Sequence, residues 1–262
     1  MMAKFHIEYY SNALHRRTTF DMLIPNDIRQ DIPWEKKDDA DRGIKTLFWL
    51  HGYTGRSENW VPEELCEKYQ IAVVMPTAEN SFYLDGEATG RAYETMVAVE
   101  LVDYVRKTFS LASSPEDTYI AGLSMGGFGA LHTGLAHPDR FGKIGCMSSA
   151  LIVHEIAHAQ PGFDNGIGNY AYYRSCFGDL ETVEERDVNP EILALRLKET
   201  ASAFPELFMC CGTEDFLIEP NRDFHRFLVE NKIPHQYFES PGGHDGVFWS
   251  EYIVKIVNWM FA

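Results

Sequence analysis

Three side chains in this sequence have the types and placement of one chemical device: a serine between glycines, an aspartate in a turn and a histidine in a glycine-rich loop. The serine is Ser124, within Gly122-Leu123-Ser124-Met125-Gly126. A short apolar run, Tyr119-Ile120-Ala121, leads into this pentapeptide and a helical pattern leads out of it, the context that a nucleophile elbow requires. In such a turn the serine backbone is expected at positive φ, a conformation costing about 1–3 kcal/mol that the surroundings must enforce. The following helix directs its positive end at the place where an oxyanion would form. A serine hydroxyl is a poor nucleophile at neutral pH and needs a base in hydrogen-bond reach, itself oriented by an acid. In this kind of site the chain order is Ser, then Asp or Glu, then His, with each residue on a loop after a strand. Asp215 follows the apolar run ending in Cys210-Cys211, and His244 sits in Pro241-Gly242-Gly243-His244-Asp245-Gly246.

Other residues compete for these roles and fit them less well. Glu214 adjoins Asp215 but projects differently from the turn, and Glu219 and Asp223 belong in or near the next helix. His132 and His137 follow the elbow in its own helix and are expected to pack or cap, while His235 opens the last strand, ahead of the loop that should bear the base. For the oxyanion, the N–H after the nucleophile, that of Met125, is one expected donor. The second comes from the loop after an earlier strand, His51-Gly52-Tyr53, where the Tyr53 N–H is chosen and His51 is assigned to holding the loop by hydrogen bonds. His154-Glu155-Ile156-Ala157-His158 matches the zinc-protease pattern His-Glu-x-x-His, in which two histidines one helical turn apart bind metal. No clear third ligand accompanies it, so the expectation is coincidental residues on a helix surface, and no metal.

The elements that must position these groups can be read from the pattern of apolar residues. Residues 4–10 and 17–24 alternate as paired strands, joined by a turn near Ser11-Asn12-Ala13. Residues 26–42, charged and proline-containing, read as a surface loop. Buried-strand runs follow at 44–50 and 71–76, with a helix through Glu63-Glu64-Leu65-Cys66 between them. An irregular loop begins at Asn80-Ser81-Phe82-Tyr83, and residues 93–109 have helical spacing. The elbow helix runs to about Leu135 and is broken at His137-Pro138. Strands are expected within 141–148, 207–211 and 235–239, and helices over 221–230 and 248–261. Strands alternating with helices in this order indicate a mostly parallel sheet with helices on both faces. No linker or repeat divides the chain, so residues 1–262 are expected to form a single domain. Residues 150–200, which leave the strand–helix rhythm, are expected to form an insertion that acts as a lid or pocket wall. Trp60, Phe82, Tyr83, Phe248 and Trp249 are candidate pocket walls, with core packing the alternative role for each.

Composition narrows the partners. With 23 basic and 39 acidic residues the net charge is −16, which repels nucleic acid and anionic lipid surfaces. Five cysteines form no metal-type pair, and Cys146, Cys210 and Cys211 lie in apolar runs, as expected of buried thiols in a reducing compartment. The N-terminal residues to Ser11 are too polar for a secretory signal, and no apolar run approaches the ~20 residues of a membrane span. The expectation is a cytoplasmic protein acting on a small molecule, with neither nucleic acid nor membrane as partner and with a homo-oligomer left open.

Across nearly its whole length the chain resembles the esterase D-like branch of the α/β-hydrolases. The resemblance is carried by the N-terminal hairpin ending in Leu23-Ile24-Pro25, by Trp49-Leu50-His51-Gly52, Asn80-Ser81-Phe82-Tyr83, Gly122 to Gly127, Cys211-Gly212-Thr213-Glu214-Asp215-Phe216, and Gly243-His244. It is most similar to the tributyrin esterase group. That resemblance implies an α/β-hydrolase fold, a serine carboxylesterase acting on short acyl esters through an acyl-enzyme, and no cofactor. It carries over Ser124 as nucleophile, Asp215 as acid, His244 as base, and the Tyr53 and Met125 amides as oxyanion donors. S-formylglutathione hydrolase and feruloyl or acetylxylan esterase are the alternatives within the group. A non-catalytic binding module on a hydrolase fold is the alternative outside it.

Overall fold

The computed structural model describes residues 2–25, 43–200 and 204–262; the surface loop expected at 26–42 lies outside them. Eight strands form one sheet: β1 (Ala3–Ser11), β2 (Arg16–Ile24), β3 (Lys45–Leu50), β4 (Ile71–Pro76), β5 (Thr118–Leu123), β6 (Lys143–Met147), β7 (Glu206–Gly212) and β8 (Gln236–Ser240). Their spatial order is β1-β2-β4-β3-β5-β6-β7-β8. The β1–β2 hairpin joins β4 antiparallel, and every pairing from β4 through β8 is parallel. The expected architecture, a mostly parallel sheet with an N-terminal antiparallel hairpin, is the one found.

Period-two alternation in the central strands divides the core between two faces. On β3 and β5, Phe48, Leu50 and Ile120 point to one side, and Leu47, Trp49, Tyr119, Ala121 and Leu123 to the other. Both sets are buried, which is why these strands read as continuous apolar runs rather than as alternating ones. The first face is covered by the helical segment 95–109, by α3 (Met125–Ala136), by α6 (Pro190–Glu199) and by α7 (Ile218–Glu230). The second is covered by α1 (Glu63–Tyr69) and α8 (Gly246–Phe261), through Cys66, Ile253, Ile256 and Val257.

Several boundaries differ from the sequence expectation. The segment expected to be helical over 93–109 is helical from Tyr93 on, but residues Thr95–Leu101 within it are π-helical before α2 (Val102–Phe109) continues. The wider π turns space the buried residues Met96, Val97, Ala98 and Leu101 differently from α-helical periodicity. Helix α7 starts at Ile218, three residues before the expected Asn221, because the Asp215 turn feeds it directly through Ile218 N–H to Asp215 C=O, 3.0 Å. Between β6 and β7 the chain forms α4 (Val153–Ile156), α5 (Tyr170–Phe177) and α6, joined by irregular segments. This stretch reaches the site-bearing loops through Tyr172 Oη, which donates to Asn80 C=O at 2.9 Å, and Tyr53 Oη, which donates to Ile167 C=O at 3.2 Å. All five cysteines are free and buried.

Helix α3 is buried from Met125 to Leu135 and seats its first turn directly on the ends of β3 and β5. A Cβ on Gly126 would stand 2.2 Å from Leu50 C=O, and one on Gly122 would stand 2.3 Å from Gly126 C=O. These are rigid backbone neighbours, so neither clash can be relieved by a side-chain rotation. Gly126→Ala is expected to destabilise the protein by about 3 kcal/mol, lowering the melting temperature by roughly 6–10 °C. Thermal unfolding followed by circular dichroism measures this, and an unchanged midpoint would contradict the packing argument.

Candidate active site

Ser124 lies between β5 and α3 with φ 56° and ψ −120°, the positive φ expected of the elbow. Hydrogen bonds on both sides enforce it. Its N–H donates to Met147 C=O at 2.9 Å, and its C=O accepts from Phe128 N–H at 3.1 Å and Ala150 N–H at 3.0 Å. The strained residue is thereby fixed to the end of β6 and to its own helix.

Asp215 and His244 reach Ser124 from the loops after β7 and β8, and those loops are tied to each other. Thr213 N–H donates to Ser240 C=O at 2.9 Å, and Glu214 N–H donates to Gly242 C=O at 3.0 Å. The approach is so close that a Cβ on Gly212 would stand 2.1 Å from Gly242 C=O. His244 Nδ1 lies 2.9 and 3.0 Å from the two Asp215 carboxylate oxygens, and His244 Nε2 lies 2.9 Å from Ser124 Oγ. With Nδ1 protonated toward the carboxylate, Nε2 is the free lone pair that accepts the serine proton. The structure therefore brings together the three side chains singled out from the sequence.

The rival acids and bases are occupied elsewhere. Glu214 is exposed, and its carboxylate accepts from Gly242 N–H and Thr213 Oγ1, clamping the histidine loop. Glu219 pairs with Arg222 and Asp223 with Arg226 on the surface of α7. His132 is buried with Nε2 on Asp187 C=O, His137 contacts Glu94, and His235 pairs with His225. His51 does hold its loop. Its Nδ1–H donates to Gly52 C=O at 2.8 Å, its Nε2 accepts from Ala78 N–H at 3.1 Å, and burial pushes its pKa down so that it stays neutral. Tyr83 Oη adds a bond to His51 C=O at 3.0 Å, and Asn80 Oδ1 accepts from Thr54 N–H at 2.8 Å.

That loop abuts the elbow, since a Cβ on Gly52 would lie 2.8 Å from Leu123 Cδ1 and 3.6 Å from Ser124 Cβ. Neither the Tyr53 nor the Met125 N–H donates to an acceptor among the described residues. Met125 opens α3, where a helix has no internal acceptor to offer its first amides.

Asp215 shows how the charge in the site is maintained. Burial alone would raise its pKa. Hydrogen bonds from His244, from Leu217 N–H at 2.8 Å and from the Ser148 hydroxyl outweigh that and hold it below the ordinary value. Ser148 is fully buried at φ 46°, and its Oγ accepts from Trp249 Nε1–H at 3.1 Å. The Trp249 ring also packs edge-on to the His244 imidazole with centroids 4.9 Å apart, and Trp60 packs edge-on to Trp249 at 5.7 Å. Of the five candidate wall aromatics, Phe82, Tyr83 and Phe248 are buried core residues, while Trp249 stands at the histidine with Trp60 packed on it. Sequence reasoning missed Ser148 and Phe216. A polar pair ending an apolar strand, Ser148-Ser149, was the available signal for the first.

The zinc-type pattern does not form its expected helix. Helix α4 ends at Ile156, and His158 lies beyond it at φ 58°. His154 instead pairs with Glu184 and Glu191, and His158 with Glu181. Among the described residues no group of three or more His, Cys, Asp and Glu side chains is arranged to hold a metal ion. Cavities of about 300 Å³ beside Leu151 and Phe224, and of about 260 Å³ beside Glu94 and His132, are lined without Ser124 or His244.

A parallel sheet with an elbow serine, and acid and histidine loops at its later strands, defines an α/β-hydrolase. The chain belongs to the putative esterase family, whose family model matches residues 11–260. It is 39% identical over 263 residues to an acetyl esterase of Caldicellulosiruptor saccharolyticus, covering 99% of this chain and 98% of that one. Among solved structures it is similar to FphF, a fluorophosphonate-binding serine hydrolase of Staphylococcus aureus, with TM-score 0.83 and 25% identity over 100% and 99% of the two chains. It is also similar to an S-formylglutathione hydrolase, FrmB, of the same organism, with TM-score 0.82 and 26% identity over the whole of both chains. A ferulic acid esterase shares the fold at TM-score 0.73 and 20% identity, covering 99% and 97%. The protein is accordingly a hydrolase of the esterase type. No helix among the described residues is long and apolar enough to cross a membrane.

The depressed Asp215 pKa has a consequence for stability. Its ionised form stabilises the fold fully above the ordinary value of 3.8, and that contribution is lost as pH falls through the lower folded value. Asp215→Asn is therefore expected to melt below wild type at neutral pH, with the gap closing as the solution is taken below 3.8. Melting curves across that range test the sign; a gap independent of pH would contradict it.

Proposed function

We propose that the protein is a serine carboxylesterase for short-chain acyl esters, with Ser124 as nucleophile, His244 as general base and acid, and Asp215 as the orienting carboxylate. The observation that carries this reading is the unbroken hydrogen-bond chain from Ser124 Oγ to His244 Nε2 and from His244 Nδ1 to Asp215. Ser124 Oγ attacks the ester carbonyl carbon as His244 Nε2 takes the hydroxyl proton. The negative charge on the carbonyl oxygen is met by the amides of Tyr53 and Met125, donors that need no reorganisation as the charge develops. The bond to the alcohol oxygen then breaks, and the alcohol leaves with the proton from His244. Water, activated by the same imidazole, releases the carboxylic acid and restores the serine. Asp215 keeps Nδ1 protonated and stabilises the imidazolium at each step.

The short acyl preference is supported by the similarity to an acetyl esterase. The same acyl-enzyme would serve a thioester, so S-formylglutathione belongs in the substrate panel. The hydrogen bonds from Trp249 to Ser148 and from Ser148 to Asp215 support the acid and histidine without touching the reacting atoms. The five free, buried cysteines favour a reducing, cytoplasmic setting.

Ser124→Ala is expected to lower kcat/KM for p-nitrophenyl acetate and butyrate by a factor on the order of 10⁴ or more, with an unchanged circular dichroism spectrum. Retained activity in that variant would refute the nucleophile assignment. A second test separates this chemistry from metal catalysis. Prolonged incubation with a strong chelator, and the double substitution His154→Ala with His158→Ala, are both expected to leave kcat/KM within about twofold of wild type, because surface substitutions away from a site change little.

A further inference from the structure

Phe216 is an aromatic side chain that the core does not use. It directly follows Asp215, and 63% of its surface is exposed while Asp215 and Leu217 on either side are buried. Its one ring contact among the described residues is the His244 imidazole, with centroids 4.6 Å apart and planes inclined by 48°. A single exposed apolar side chain is ordinary. Here, however, the helix that follows the histidine loop presents a second one. Val247, 84% exposed, lies in the first turn of α8 just after Asp245, whose carboxylate caps that helix by accepting from Val247 N–H and Phe248 N–H. The acid and base loops, tied together by backbone hydrogen bonds, thus expose Phe216 against the imidazole and, three residues after His244 at the start of α8, Val247.

The order of bond changes gives this surface a ligand. In acylation the Ser124 Oγ–acyl bond forms, the acyl–alcohol oxygen bond breaks, and the alcohol takes its proton from His244 Nε2. The alcohol oxygen must therefore reach hydrogen-bond distance of that nitrogen, and the carbon chain it bears must lie against what flanks the imidazole. The acyl chain, by contrast, is held by its bond to Ser124 and by the amides of Tyr53 and Met125. We infer that Phe216, together with Val247, is the specificity-determining surface for the alcohol half of the ester, taking aryl or bulky alkyl alcohols against its ring. This inference rests on the proposed roles of Ser124 and His244.

The alcohol is present during acylation and gone during deacylation, so the two half-reactions separate this role from support of the imidazole. In Phe216→Ala, kcat/KM for benzyl and phenyl acetate is expected to fall about three- to tenfold relative to methyl acetate, the range of a single aromatic contact. The deacetylation rate, read from the steady phase after a p-nitrophenyl acetate burst, is expected to be unchanged, as is the ratio of acetyl to butyryl ester turnover. Val247→Ala, which removes only exposed atoms, is expected to shift alcohol preference in the same direction by a smaller factor, and Phe216→Tyr to retain it. Equal losses on methyl and benzyl acetate, or slowed deacetylation, would assign Phe216 to holding the imidazole and overturn the inference. An altered acetyl to butyryl ratio would place it on the acyl side and do the same. Failure of the underlying reading looks different: wild-type protein would then show no burst and no labelling of Ser124 by a fluorophosphonate.

Discussion

The structure depends on how closely three pieces of backbone approach one another at the top of the sheet. The ends of β3 and β5 and the first turn of α3 leave no space for a side chain at Gly122 or Gly126. Because the helix is pressed this far down, the chain between strand and helix has one residue in which to reverse. That residue takes φ 56°. A serine in such a conformation is less stable than one in an ordinary turn by about 1–3 kcal/mol. The hydrogen bonds to Met147, Phe128 and Ala150 offset that cost by fixing both of its peptide groups. The same compression places the opening amide of α3 and the loop after β3 beside one hydroxyl.

A second constraint aligns the other partners. Three residues from three distant parts of the chain meet only because the loops after β7 and β8 are joined as a unit before they reach Ser124. Glu214, which sequence reasoning weighed as a competing acid, is a clamp in that unit, fastening the backbone at Gly242. Its neighbour Asp215 turns the other way, into a buried setting rich in donors. A carboxylate removed from water stays ionised only where such donors replace the lost hydration. His51 shows the reverse case. Burial disfavours its charged form, and a neutral imidazole with one donating and one accepting nitrogen spans Gly52 and Ala78 as a fixed strut.

The relatives of this chain carry several activities in their names: acetyl esterase, S-formylglutathione hydrolase and ferulic acid esterase. A shared fold does not separate such activities; differences among them must lie in the groups around the reacting carbonyl. In this chain those groups come from three sources. The stretch between β6 and β7 reaches the loops after β3 and β4 through Tyr172 and Ile167. Trp249, backed by Trp60, and the exposed Phe216 pack on the histidine, and the exposed Val247 follows it at the start of α8. These groups lie outside the hydrogen-bond chain from Ser124 through His244 to Asp215.

Much of this was legible in the residues alone. The apolar runs of β3, β4 and β5 marked strands buried on both faces, because no polar residue interrupts a strand covered by helices on each side. Gly-x-Ser-x-Gly between a strand and a helix marked Ser124, since its glycines meet a local steric demand. Asp215 and His244 followed from chain order. The π-helical stretch Thr95–Leu101 inside its helix, the early start of α7 and the failure of His154 and His158 to share a helix were not legible, because tertiary packing and the neighbouring turns decide how a helix winds, begins and ends. Nor were the contacts of Ser148, Trp249 and Phe216 with the acid and histidine, residues far apart in the chain or without a motif of their own. Sequence determined the chemistry-bearing groups and the strands that carry them, because those obey local steric and periodic rules. Only the folded chain decided which side chains surround them, because those distances are set by how the sheet brings separate loops together.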